Sequence, residues 1–73
     1  LLLINFFRML KLPPKASSYI KTNFEDDAPQ TVLEVFDKHG REVFEVVIYC
    51  KEAIYTLHFN RVGDLVFYTT KMR

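Results

Sequence analysis

Between Arg41 and Met72, three apolar runs rich in β-branched and aromatic residues follow one another with gaps too short to hold anything but turns. Strands joined so closely must run antiparallel, because a parallel connection needs a crossover of a dozen or more residues. The stretch therefore predicts a meander. A fourth run, Thr31 to Phe36, precedes it across Asp37-Lys38-His39-Gly40, where the glycine can take a positive φ without a Cβ penalty.

The register follows from the alternation of side chains between faces, since a correct pairing collects the apolar sets of neighbouring strands on one side. A two-residue loop of Lys51 and Glu52 sets Ile48 opposite Tyr55, Val46 opposite Leu57 and Phe44 opposite Phe59. A three-residue loop of Arg61, Val62 and Gly63 puts Leu65 and Phe67 opposite Phe59 and Leu57. A four-residue loop from Asp37 to Gly40 aligns Leu33 with Phe44. The predicted core is Leu33, Val35, Phe44, Val46, Ile48, Tyr55, Leu57, Phe59, Leu65 and Phe67.

Upstream, Leu12-Pro13-Pro14 opens a helix, because proline in the first turn lacks only an N–H that would have had no intrahelical partner. The helix is predicted from about Pro14 to Phe24, with Ala16, Tyr19, Ile20 and Phe24 forming one apolar stripe and Lys15, Ser18, Lys21 and Thr22 on the other side. Glu25, Asp26, Asp27, Ala28 and Pro29 end it. The fold class is α+β: one N-terminal helix packed on a four-stranded antiparallel β-meander, a single domain over residues 13–73.

Residues 1–12, LLLINFFRMLKL, are too few to span a bilayer, which takes about 20 apolar residues. Three readings stay open: the tail of a secretory signal or anchor, a short helix packed on the domain, or the last strand of a preceding module. The opening residue is Leu1 and not Met, as expected of a processed or truncated product.

Seventy-three residues hold one core, and 49% hydrophobic residues with seven Phe and four Tyr are enough to pack it. The net charge of +1, with Lys and Arg scattered singly, lacks the electrostatic footprint of a nucleic-acid binder. A lone Cys50 excludes an internal disulfide and a Cys-rich zinc site.

Little catalytic chemistry is written into the chain. Glu45 and His58 are expected to face each other across two strands, but a pair falls short of the three or four ligands of a zinc site and reads as an ion pair. Cys50 is expected on the core side, away from His58, as an inert thiol. Glu25, Asp26 and Asp27 lack the spaced oxygens of a calcium loop, and His39 reads as a polar turn residue. Neither a Gly-rich phosphate loop nor a Gly-x-Ser-x-Gly elbow occurs. The expectation is a non-enzyme without cofactor.

The sheet face away from the helix is predicted to be mixed, carrying Val43, Val47, Tyr49, Ile54, Val66, Tyr68 and Met72 among polar residues. Contiguous apolar area on such a face marks an interaction surface or a face covered by another segment, and residues 1–12 or a second subunit are the nearest candidates to sit there. Tyr49, Tyr68, Ile54 and Val47 are the candidate contacts, for a protein partner or a second copy of the chain.

LPPKASSYIKTNF (Leu12 to Phe24), VFEVVI (Val43 to Ile48) and LHFNRVGDLV (Leu57 to Val66) together resemble the bacterial PepSY-like domains, also described as similar to β-lactamase-inhibitor domains. The shared features are a Leu-Pro opening before a short helix with Tyr-Ile-Lys and a final aromatic, a Tyr-Glu-Val-like strand, and a Leu-x-Phe-Asp-x-x-Gly-Lys-Leu-like ending. Asn60 stands where the family often has Asp, and Asp64 where it often has Lys. The resemblance implies a periplasmic or secreted module, a helix followed by four antiparallel strands, and a binding or inhibitory role without catalytic residues. A repeat unit of a larger envelope protein is the alternative; a small-ligand binder between helix and sheet is disfavoured by the small core.

Overall fold

A computed structural model describes residues 12–25 and 27–73. The three readings of residues 1–12 fall, but for Leu12, outside the described residues, as does the place of Asp26. One helix, α1 (Pro14–Asn23), is followed by strands β1 (Gln30–Phe36), β2 (Glu42–Tyr49), β3 (Ala53–Phe59) and β4 (Leu65–Met72). They form one antiparallel sheet in the order β1-β2-β3-β4, so every strand pairs with its neighbour in sequence. The expected α+β architecture is the observed one.

The helix begins as its prolines dictate. Pro13 is the N-cap residue, and its carbonyl accepts from the N–H groups of Ala16 (2.9 Å) and Ser17 (3.1 Å). At the other end Phe24 is extended while its N–H still reaches the Ile20 carbonyl at 2.9 Å, so the helix stops one residue earlier than its apolar stripe. That stripe meets the sheet: Ala16 is fully buried, Tyr19 packs edge-on to Phe59 at 5.8 Å, and Phe24 packs edge-on to Tyr55 at 5.0 Å. The fully buried residues are Ala16, Val46, Ile48, Leu57 and Phe59, and Leu12 packs against them although its neighbours in sequence group it with the preceding segment. Burying such side chains is worth roughly 1.5–3 kcal/mol each, the main driving force for so small a sheet.

The β2–β3 register is the one expected, with Ile48 opposite Tyr55, Val46 opposite Leu57 and Phe44 opposite Phe59. The Cys50 N–H donates to the Ala53 carbonyl at 3.0 Å, closing the turn around Lys51 and Glu52.

The outer strands depart from expectation, each by one residue. In the first hairpin the loop is Lys38-His39-Gly40, closed by the Asp37 N–H donating to the Arg41 carbonyl at 2.9 Å. Asp37 Oδ1 accepts from the N–H groups of His39 (2.8 Å) and Arg41 (2.9 Å), and Gly40 takes φ +80°. This tighter closure pairs Glu34, not Leu33, with Phe44. A one-residue slip exchanges the faces of a strand. Val32 therefore joins the core, while Leu33 and Val35 turn to the opposite face.

In the last hairpin the predicted loop is present: the Asn60 N–H donates to the Asp64 carbonyl at 2.9 Å, and Gly63 takes φ +98°. Leu65 pairs with Phe59 as expected. A bulge between His58 and Phe59 then leaves Val66 as the extra residue on β4, so Phe67 pairs with His58 and Tyr68 with Leu57. Phe67 is thereby 53% exposed on the face away from the helix, and not in the core.

Gly63 also locks the helix to the sheet. A Cβ there would stand 2.8 Å from Lys15 Cβ, 2.9 Å from the Ala16 nitrogen and 3.1 Å from Pro13 Cβ, so only a residue without a side chain admits this approach. Beside it Asp64 forms an ion pair with Lys15.

Candidate functional site

The face of the sheet away from α1 is built in rows across the strands. One row runs Leu33, Glu45, His58, Phe67; the next runs Thr31, Val47, Thr56, Thr69; a third runs Tyr49, Ile54, Lys71. Of the four candidate contacts, Val47, Tyr49 and Ile54 come together here. Tyr49 lies directly opposite Ile54 and is 37% exposed, while Val47 and Ile54 are half-buried.

Tyr68 does not join them. The bulge at Val66 places it opposite Leu57, on the helix side of the sheet and 60% exposed. Its place on the outer face is taken by Phe67, whose ring lies 5.5 Å from that of His58 at a tilt of 46°. Sequence alternation counted from the Arg61-Val62-Gly63 turn misses this, because a bulge inserts one residue without a glycine or proline to mark it.

Glu45 and His58 are cross-strand partners, with Oε2 and Nε2 3.0 Å apart and both side chains half-buried. Among the described residues no group of three or more His, Cys, Asp or Glu side chains is gathered as a metal would need. Cys50 packs against the core, on the opposite side of the sheet from His58, so the two cannot act as nucleophile and base. Among the described residues, every buried side-chain polar atom has a hydrogen-bond partner, so none is left aimed at an absent ligand.

A concavity of about 600 Å³ lies at the end of the sheet where the first and last hairpins turn. Alternate turns of a meander fall at the same end, which is the signal that could have located it. Its apolar lining includes Phe36, Val43, Val62 and Val66, and its charged lining includes Arg41, Arg61, Asp37 and Glu42. The charges cancel within the wall: Arg41 Nε bonds Asp37 Oδ2 at 3.2 Å, and Arg61 bonds Glu42 Oε1 at 3.0 Å. Its electrostatics therefore favour neither an anion nor a cation.

Two carboxylates near these turns are held below the ordinary carboxylate value. The backbone N–H of Arg41, then that of His39 and the Arg41 charge, stabilise ionised Asp37. The Lys15 ammonium does the same for Asp64, with Asn60 adding a hydrogen bond. Both fasten turns: Asp37 is engaged by His39 and Arg41, and Asp64 by Lys15.

No family model, curated protein or solved structure matches this chain. Among the described residues no helix is long and apolar enough to cross a membrane.

Proposed function

We propose that this chain is a non-catalytic protein-binding module that engages its partner through the sheet face carrying Val47, Tyr49 and Ile54. The observation that carries this reading is the direct opposition of Tyr49 and Ile54 beside Val47 on central strands β2 and β3, where the backbone itself is rigidly paired. A tyrosine and two branched aliphatics supply contact area at low conformational cost. The Leu-Pro-Pro opening, the short helix and the four antiparallel strands that follow are the order expected of a PepSY-like module, and support a binding or inhibitory role in a periplasmic or secreted setting. The separation of Cys50 from His58 and the two-membered Glu45–His58 pair support the non-catalytic reading.

The test is affinity capture with the full chain beside a Tyr49→Ser/Ile54→Ser variant of unchanged circular dichroism. A protein retained by the first and released by the second is the expected result. Equal retention by both would place binding elsewhere.

A further inference from the structure

We infer that two copies of this chain associate edge to edge through β4, antiparallel about a two-fold axis at Thr69, to form a continuous eight-stranded sheet. This surface is distinct from the Tyr49–Ile54 face and does not depend on that reading.

The sheet is open, so β1 and β4 each have one edge unpaired among the described residues. On β4 the direction of the free groups can be assigned. The Arg73 N–H donates to the Glu52 carbonyl at 3.0 Å. Alternation along an antiparallel ladder then turns the backbone groups of Phe67, Thr69 and Lys71 toward β3, and those of Tyr68, Thr70 and Met72 outward. A strand with a row of outward N–H and C=O groups is a template for another strand.

Chains usually defend such edges. β4 has its defences only at its two ends, the bulge at Val66 and the charges of Lys71 and Arg73. Between them the strand is exposed on both faces: Phe67 on one, Tyr68 and Met72 on the other, with Met72 at 69%. β1 is a poorer edge. Its exposed residues are Gln30, Thr31, Glu34 and, at the turn end, Phe36, so apart from that last ring the edge is polar and pairing along it would desolvate a carboxylate.

A second copy fits β4 for a reason legible in its own order of residues. Outward groups must meet outward groups, which allows only every second register. The register centred on Thr69 pairs Tyr68 with Thr70, Phe67 with Lys71 and Val66 with Met72. No like charges oppose, the lysine stem and ammonium lie beside an aromatic ring, and a small β-branched residue sits at the axis. An isologous contact of this kind closes on itself, whereas pairing β4 of one copy with β1 of the next would propagate into fibres.

The interface is one strand wide, at the small end of the range below about 1,200 Å², so dimerisation is to be read at concentrations on the order of 100 μM. In sedimentation velocity the full chain of 8.7 kDa is expected at twice its monomer mass. Thr70→Pro removes an outward N–H without cutting the β3 ladder, and Thr69→Lys sets two ammonium groups at the axis; both are expected to halve the mass with circular dichroism unchanged. Thr69 would face its own copy as a non-hydrogen-bonded pair with Cα atoms about 4.5 Å apart, a spacing a disulfide spans. Thr69→Cys is therefore expected to cross-link on oxidation, while Lys71→Cys, facing Phe67, and the parent chain with its Cys50 are not.

A monomeric parent chain, open-ended polymers, a dimer that survives Thr70→Pro, or a dimer whose Thr69→Cys form stays uncross-linked would each overturn the inference. A dimer lost in Tyr49→Ser/Ile54→Ser but kept in Thr70→Pro would overturn it as well, and would leave the proposed binding face standing.

Discussion

Gly63 and Ala16 approach so closely that a Cβ on the glycine would stand 2.9 Å from the alanine nitrogen, which ties the last hairpin to the first turn of the helix. The other left-handed glycine, Gly40, has nothing within 4 Å of the same position. The two therefore separate a backbone cost from a packing cost. Gly40→Ala should lose only the left-handed penalty of about 1–2 kcal/mol. Gly63→Ala adds an overpacking cost of about 1–3 kcal/mol and should be the more damaging in urea denaturation.

Phe59 and Phe67 lie within one hairpin, and alternation alone would put both in the core. Phe59 is fully buried under Tyr19 of the helix, whereas Phe67 sits beside His58 on the far face. Phe59→Ala should cost about 3–5 kcal/mol, enough to unfold most of a small domain. Phe67→Ala should cost under about 1 kcal/mol. Similar losses at the two positions in equilibrium unfolding would contradict the bulge.

Asp37 and Asp64 are both held below the ordinary carboxylate value of 3.8, the first by the Arg41 N–H and the second by Lys15. A carboxylate depressed in the folded state contributes stability that is complete above that ordinary value and is lost as pH falls through the folded one. The midpoint of thermal unfolding should therefore drop below about pH 4. Lys15→Gln and Asp64→Asn should each flatten part of that fall, and the double variant should flatten it no further than Asp64→Asn, because both remove the same pair.

Glu45 and His58 meet at 3.0 Å between central strands, so their coupling should be measurable where that of the exposed Arg61 and Glu42 is not. A double-mutant cycle with Glu45→Gln and His58→Gln should return a coupling within about 0.2–1 kcal/mol. The corresponding cycle at Arg61 and Glu42, whose arginine side chain is open to water, should return close to zero.

The helix, the central hairpin and the candidate face at Val47, Tyr49 and Ile54 were legible because each rests on signals a few residues apart: prolines at a helix start, and an apolar ladder across a two-residue turn. Both outer strands were misplaced, for different reasons. Asp37-Lys38-His39-Gly40-Arg41 and Asn60-Arg61-Val62-Gly63-Asp64 are the same turn, each with a side-chain oxygen at its first residue accepting backbone N–H groups and a left-handed glycine at its fourth. Reading the first by the rule applied to the second would have set Val32 in the core and Leu33 outside it. The bulge at Val66 carries no such signature, and Tyr68 was assigned to the wrong face on its account. Asp64 is paired with Lys15 of the helix, a contact between elements that no local pattern announces.

The sequential order of the sheet also sets a hierarchy of opening. β2 and β3 are hydrogen-bonded on both sides and hold Val46, Ile48, Leu57 and Phe59, whereas among the described residues β1 and β4 are each held by one neighbour. In the monomer, local opening should therefore start at the outer strands, with the amides of β1 and β4 exchanging before those of Ile48 and Leu57, which exchange only on global unfolding; in the dimer β4 is covered and β1 opens first. Because none of the described strands crosses over another, an outer strand of the monomer can peel away and return without disturbing the hairpin at the centre, leaving the surface around Tyr49 and Ile54 on the part of the molecule that opens last.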